Sequence, residues 1–217
     1  MARQFRGVSE HYVADYKYDA TTGKVTFGTP TKYGETKSIS REISSESEEV
    51  WADNKLNDTT FGGTSVTRTF TSTRLDPAVE AHSLGNTVYT DDTSGLTVYG
   101  TAQDGSNRPY QAHGYALHDG DANKPCLLVW CFKGMTNSIS QVSNTIDRGT
   151  GSEGQESNIT FSAPDAVWEK TGKADLDITL AVTEKVTAAM IKKWFAQVVT
   201  YDNLATVFAP ANSGSGS

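Results

Sequence analysis

The sequence predicts a mainly β protein, a β-sandwich or barrel-like fold with one flanking helix and one C-terminal helix. Three observations carry this prediction. Thr and Ser together number 48 among 217 residues, beside 19 Gly and only 3 Met, a composition suited to strands and turns. Turn-forming clusters recur between apolar runs, at 21–24, 61–64, 93–96, 103–109, 118–125 and 148–155. Apolar and polar residues also alternate with period two through the segments 36–51 and 65–73.

The elements follow in order. Segments 8–18 and 24–27 flank a Gly turn and read as a first hairpin. In 36–51, Ile39, Ile43 and Trp51 fall at odd positions. Ser40, Glu42, Ser44, Glu46 and Glu48 fall at even ones, so one face is half-apolar and the other polar and acidic. In 65–73, Val66 and Phe70 share a face with Arg68, while Ser65, Thr67, Thr69, Thr71 and Thr73 line the other. The intervening residues 47–64 read as a long, polar, Gly-containing loop.

Leu75 to Gly85 carries every helix end signal, with Asp76 as N-cap, Pro77 at the first helical position and Gly85 after the last turn. Val88 and the runs 96–99, 111–117 and 127–132 supply the middle of the sheet, and 158–163 and 175–182 follow. A second helix is expected over about 185–199. Val186, Met190, Ile191, Trp194, Phe195 and Val198 lie at helical spacing, Lys192, Lys193 and Gln197 stand opposite, and Thr183 is the N-cap. Residues 1–210 read as a single domain, and the Ser/Gly-rich residues 211–217 as a flexible tail.

Composition narrows the function classes. Lys plus Arg is 19 against 26 Asp plus Glu, a net charge of -7, which disfavours direct binding to DNA phosphates. No apolar run approaches the roughly 20 residues of a membrane span, and the N-terminus lacks the apolar core of a secretory signal. Cys126 and Cys131 sit five apart in one apolar run, so on a strand they point to opposite faces and cannot bridge. A reduced protein made in the cytosol is expected.

Chemistry-bearing motifs are absent. The four histidines, His11, His82, His113 and His118, lack the close spacing of a metal pair and read as surface or strand residues. Asp119-Gly120-Asp121 opens like a calcium loop, but Lys124 and Trp130 occupy the positions that need Gly and Glu. The Gly-rich run at 149–154 lacks the Gly-Lys-Ser/Thr ending of a phosphate loop. No catalytic residue, cofactor or metal is expected. The one chemical asymmetry is residues 42–53, which hold Glu42, Glu46, Glu48, Glu49 and Asp53 with no Lys or Arg.

Several local patterns coincide along the chain. Val25-Thr26-Phe27-Gly28-Thr29-Pro30 precedes the long Ser/Ile segment that Val50-Trp51-Ala52-Asp53-Asn54 closes. The short helix ends in Ser83-Leu84-Gly85-Asn86-Thr87-Val88. The acidic turn Asp91-Asp92-Thr93-Ser94-Gly95 follows. Then come Arg108-Pro109-Tyr110-Gln111-Ala112-His113-Gly114-Tyr115, Leu128-Val129-Trp130-Cys131-Phe132-Lys133-Gly134 and Trp194-Phe195-Ala196-Gln197-Val198. In this order, from about Gly7 to about Leu204, the set resembles the major tail protein family of long-tailed, non-contractile bacteriophages.

The resemblance implies a β-sandwich or barrel-like subunit that assembles with itself as hexameric rings stacked into a tail tube. The implied partners are a tape-measure protein, tail terminator and tail-tip proteins, and DNA that passes through the lumen without specific binding. The implied location is the virion tail, after assembly in the host cytoplasm. On this reading Glu42, Ser44, Glu46, Glu48, Thr67, Thr69 and Thr71 face the lumen. Asp53, Asn54, Lys55, Asn57, Asp58 and Phe61 make contacts between rings. The alternative is a carbohydrate- or receptor-binding β-sandwich of a virion, with Trp51, Trp130, Trp168 and Trp194 as candidate stacking platforms, although Trp130 and Trp194 read as core.

Overall fold

Period-two alternation dictates that each strand bury one set of side chains and present the other, and the chain resolves this by curling one large sheet. The structure is a computed structural model that describes residues 5, 7–52, 55–120, 124–140 and 154–209; the side chains of 46–62 and 74 lie outside the described set. The elements are β1 (Gly7–Asp19), β2 (Lys24–Phe27), β3 (Thr31–Lys32), β4 (Gly34–Ala52), β5 (Lys55–Leu75), α1 (Pro77–Ser83), β6 (Thr87–Thr90) and β7 (Thr97–Gly100). They continue with β8 (Gln111–His118), β9 (Leu127–Ser140), β10 (Gln155–Ser162), β11 (Asp177–Ala181), α2 (Ala188–Ala196) and α3 (Leu204–Val207). Strands make up 51% and helices 12%, so the fold is mainly β.

The main sheet is antiparallel, ordered β2-β1-β8-β9-β10-β5-β4, with β3 added to β1 and β11 to β9. It curls until β4 returns beside β1, where His11 Nδ1 and Thr36 Oγ1 meet at 2.9 Å. The curl encloses one apolar cluster of Val66, Phe70, Tyr115, Val129, Cys131, Ile159 and Phe161. The opposite faces of β1, β8 and β9 supply Ala14, Ala112, Ala116, Leu128, Trp130 and Phe132 to a second cluster. Trp168, Trp194, Phe195 and Val199 close that cluster from outside.

Two glycines set the spacing of these layers. A Cβ on Gly114 would lie 2.7 Å from the Trp130 ring, and one on Gly134 would lie 2.5 Å from Phe161. Trp130 fills the room left by Gly114 and donates its indole N–H to the Trp194 carbonyl at 2.9 Å, which ties α2 to the sheet. A bulge in β1 settles another conflict. Val8 points inward, so simple alternation would carry Glu10 into the core. Instead Glu10 takes φ 55°, the register with β8 steps between Ser9 and Tyr12, and His11 and Val13 turn inward.

The structure departs from the sequence expectations at three places. Residues 47–52 and 55–64 are strand rather than loop: β4 and β5 pair through Glu48 opposite Thr60 and Ala52 opposite Lys55, because this polar stretch satisfies its backbone by continuing the hairpin. Val88 and 96–99 do not lie in the middle of the sheet. They form β6 and β7, a separate two-stranded hairpin. The second helix is α2, shorter than 185–199. Its N-cap is Thr187, which accepts from the Met190 N–H at 3.3 Å, while Thr183 instead closes a turn with Val186. It ends before the β-branched Val198-Val199-Thr200 run, with Gln197 already extended. The α1 signals hold: Asp76 caps Ala78 N–H at 2.8 Å with Pro77 in the first turn.

Gly114→Ala is predicted to cost about 1–3 kcal/mol through overpacking against Trp130. Gly100→Ala, whose added carbon meets only Thr87 Cβ at 3.8 Å, serves as the control and should shift stability by about 0.5 kcal/mol or less. Thermal melts of both variants check the pair; equal midpoints would remove the spacing role of Gly114.

Candidate functional site

The residues that alternate away from the enclosed cluster form a continuous polar face. Register places Glu42 opposite Thr67, Ser44 opposite Ser65, Ser40 opposite Thr69 and Ser38 opposite Thr71. Cross-strand partners share a face, so these residues stand together. The same face continues across β10, where Thr67 lies opposite Thr160 and Thr69 opposite Asn158. Side chains bond across the strands: Thr69 Oγ1 donates to Asn158 Oδ1 at 2.6 Å, Thr67 and Thr160 hydroxyls meet at 3.2 Å, and Asn137 Nδ2 donates to Thr160 at 2.7 Å. Over 38–44, 65–71 and 156–160 this face carries the carboxylates of Glu42 and Glu156 and no basic side chain.

The structure therefore brings together Glu42, Ser44, Thr67, Thr69 and Thr71, as the alternation predicts. The side chains of Glu46, Glu48, Lys55, Asn57, Asp58 and Phe61 lie outside the described residues, as do Asp53 and Asn54 entirely. Backbone register still fixes one point about this end. Between Ser45–Thr64 and Ser47–Phe61, β5 advances three residues against two of β4, a bulge on the β5 side.

That bulge lies where the hairpin leaves the body. β10 covers β5 only from Val66 to Ser72. Beyond, Ser45–Ala52 and Lys55–Thr64 have each other as strand neighbours and no third strand among the described residues. Ile43, opposite the buried Val66, is already 58% exposed. At about 3.4 Å per residue the ribbon projects roughly 25 Å. A two-stranded hairpin of this kind is marginal in water by itself.

The enclosed side holds polar groups, of which alternation placed Arg68 on the apolar face while their partners are not legible in the sequence. Arg68 is buried, and its guanidinium donates to the Tyr115 hydroxyl and the Asp177 carboxylate, the latter also an ion pair. Burial pushes the Cys131 thiol up to about 12, which keeps it protonated. His11 and His113 are fully buried neighbours, with Nε2 and Nδ1 at 3.2 Å, in contact with Phe70. They are strand histidines, as expected, but lie in the core rather than at the surface. Burial, then the charge of His113, drives His11 well below 6.5, and burial takes His113 down to about 3. These rings lie 102 residues apart, so no local spacing signals them.

Trp130 and Trp194 are fully buried and Trp168 nearly so, which removes three of the four candidate stacking platforms; Trp51 lies outside the described side chains. A cavity of about 320 Å³ between β1 and α1 is lined by Asp15, His82 and Gln111, with His82 Nε2 and Asp15 Oδ1 at 2.7 Å. Among the described residues no three metal-ligating side chains cluster, and no helix is long and apolar enough to cross a membrane.

No protein-family model matches the chain, and no curated protein matches it. Among solved structures, the chain is similar to one in the sheath–tube complex of an extracellular contractile injection system, PVC, in its extended state. The identity is 14%, the match covers 79% of this chain and 88% of that one, and the TM-score is 0.39.

The histidine pair predicts an acid limit. Below about pH 6.5 the unfolded chain takes up protons at both rings, whereas folded His113 stays neutral down to about 3. Stability is complete above pH 6.5 and is lost as pH falls toward 3, with a slope of up to about 1.4 kcal/mol per pH unit for each ring. His113→Gln should flatten the decline between pH 6 and 4 in urea titrations at stepped pH; an unchanged slope would overturn the assignment.

Proposed function

We propose that this chain is the structural subunit of a bacteriophage tail tube, assembling with itself as stacked hexameric rings that conduct DNA during ejection. The observation that carries the reading is the β4–β5 ribbon, which extends past its own sheet with no third strand among the described residues and which a neighbouring copy would cover. The resemblance of the sequence to the major tail protein family supports the same assignment. The polar face supports it from a second side. Repeated around a ring, Glu42 gives six carboxylates in a wall of Ser and Thr hydroxyls. Like charges repel a passing duplex over about one Debye length, roughly 8 Å at physiological salt. DNA then slides without sticking, and an acidic protein serves as its conduit.

The role is mechanical and calls for no catalysis or cofactor. The partners are further copies of the chain, a tape-measure protein, and the terminator and tip proteins that close the two ends. The place of action is the virion tail, after assembly in the host cytoplasm.

Negative-stain microscopy of the purified chain is expected to show rings or tubes; monomers at every concentration and salt would overturn the proposal. Ser45 and Thr64 are direct strand partners, so an Asn-Gly turn can join them in place of 46–63. That shortened chain should keep its circular dichroism and lose stacking, and normal tubes from it would remove the ribbon from the contacts between rings.

The variant Glu42→Lys, a change on the body of the sheet outside the ribbon, should build tubes of normal length yet slow DNA ejection. Ejection at the normal rate would show that this face lies away from the DNA path.

A further inference from the structure

The β6–β7 hairpin stands apart from the main sheet and is apolar on both faces. Val88 pairs with Tyr99, and Tyr89 with Val98, so each pair occupies its own face. All four are exposed, and Leu96 beside the turn is 68% exposed. Such an exposed patch, on a hairpin that packs against α1 and among the described residues pairs with no strand of the main sheet, is the kind of surface that takes a partner. Its charge is one-sided. Between Gly85 and Asn107 the charged residues are Asp91, Asp92 and Asp104, with no Lys or Arg. Asp91 is committed to the turn, accepting from the Ser94 N–H at 2.7 Å and the Ser94 hydroxyl at 2.6 Å, while Asp92 is exposed and projects from the tip.

A complementary surface lies elsewhere on the same chain. A groove of about 420 Å³ between β1 and α2 is lined by Tyr12, Pro30, Ile191, Phe195 and Ala196, with Lys192 and Glu10 at its margin. Tyr12 lies directly opposite Lys32, so that lysine stands on the groove side of the sheet. Lys193 adds a third cation on the exposed surface of α2. Lys32 and Lys192 against Glu10 leave the rim cationic. The exposed α2 residues Ala188, Ala189 and Ala196 are small, which permits close approach of an aromatic hairpin.

We infer that the β6–β7 hairpin of one subunit docks into the β1–α2 groove of a second copy, with the acidic tip against the lysine rim. The contact is heterologous: every copy donates a hairpin and accepts one, the arrangement that closes a ring. The inference rests on the ring-forming subunit proposed above and names the surfaces that join neighbours within a ring.

Charge exchange between two variants of the full chain tests it. Variant one, Asp92→Lys with Thr93→Lys, makes the tip cationic and leaves the Asp91 turn intact. Variant two, Lys32→Glu with Lys192→Glu, makes the rim acidic. All four positions are exposed, so thermal midpoints should stay near the wild-type value. Each variant alone is expected to lose rings and tubes by microscopy and sedimentation. An equimolar mixture should recover them, because a cationic tip then meets an acidic rim and an acidic tip meets a cationic rim, alternating around an even-numbered ring. Assembly of either variant alone at the wild-type level would overturn this contact while leaving the tube reading in place. Failure of the mixture to recover assembly would also overturn it. Absence of rings from the wild-type chain itself would overturn both.

Discussion

The contact between Trp130 and the bare backbone of Gly114 holds the two halves of the core in place. Gly114 lets the indole lie flat on β8, and the indole N–H then reaches the Trp194 carbonyl and fixes α2 over the sheet. Gly134 does the equivalent on the inner side, where Phe161 and Ile159 occupy the space a side chain would take. One stretch of β8 and β9 thereby spaces both the enclosed cluster and the outer one. A fully buried Trp or Phe contributes about 1.5–3 kcal/mol, so losing that spacing would reach well beyond one residue.

The enclosed cluster departs from a purely apolar packing. Arg68 with Asp177 and Tyr115, and His11 with His113, are buried polar groups whose partners come from distant strands. Removing one member would strand the other in a low-dielectric interior, which costs more than the pair contributes. Such groups make the interior intolerant of register slips, because a shift of one residue would send Arg68 to the Thr face and a Thr to Arg68's place. The open polar face can then stay plain Ser and Thr.

The sequence made the alternating strands legible because period two is written locally: Val66, Arg68 and Phe70 against Thr67, Thr69 and Thr71 needs only six residues. The α1 caps were legible for the same reason. Three features were not. The His11–His113 pair depends on a bulge at Glu10, and nothing in Ser9-Glu10-His11 announces where strand alternation will slip. The stretch 47–64 reads as a loop because its residues are polar and carry Gly62-Gly63, while the strand geometry of its described residues comes from cross-strand pairing. The β6–β7 hairpin misleads in the opposite sense, since Val88, Tyr89, Val98 and Tyr99 have core-like chemistry and surface positions. Exposed apolar residues of a hairpin look the same in sequence as residues of the interior.

The connectivity of the sheet has a consequence for how the chain is made. β1 can pair with β8 only after residue 118 has emerged, and α2 cannot cover Trp130 until about residue 196. The β4–β5 hairpin, by contrast, is local and complete by residue 75. Local hairpins form in roughly microseconds, whereas synthesis advances by only about 5–20 residues per second. Both strands of the ribbon are therefore made seconds before the rest of the sheet, yet a hairpin that is marginal alone gains lasting order only when β10 pairs with β5. The late long-range joins, rather than synthesis of the ribbon, set when the complete subunit appears.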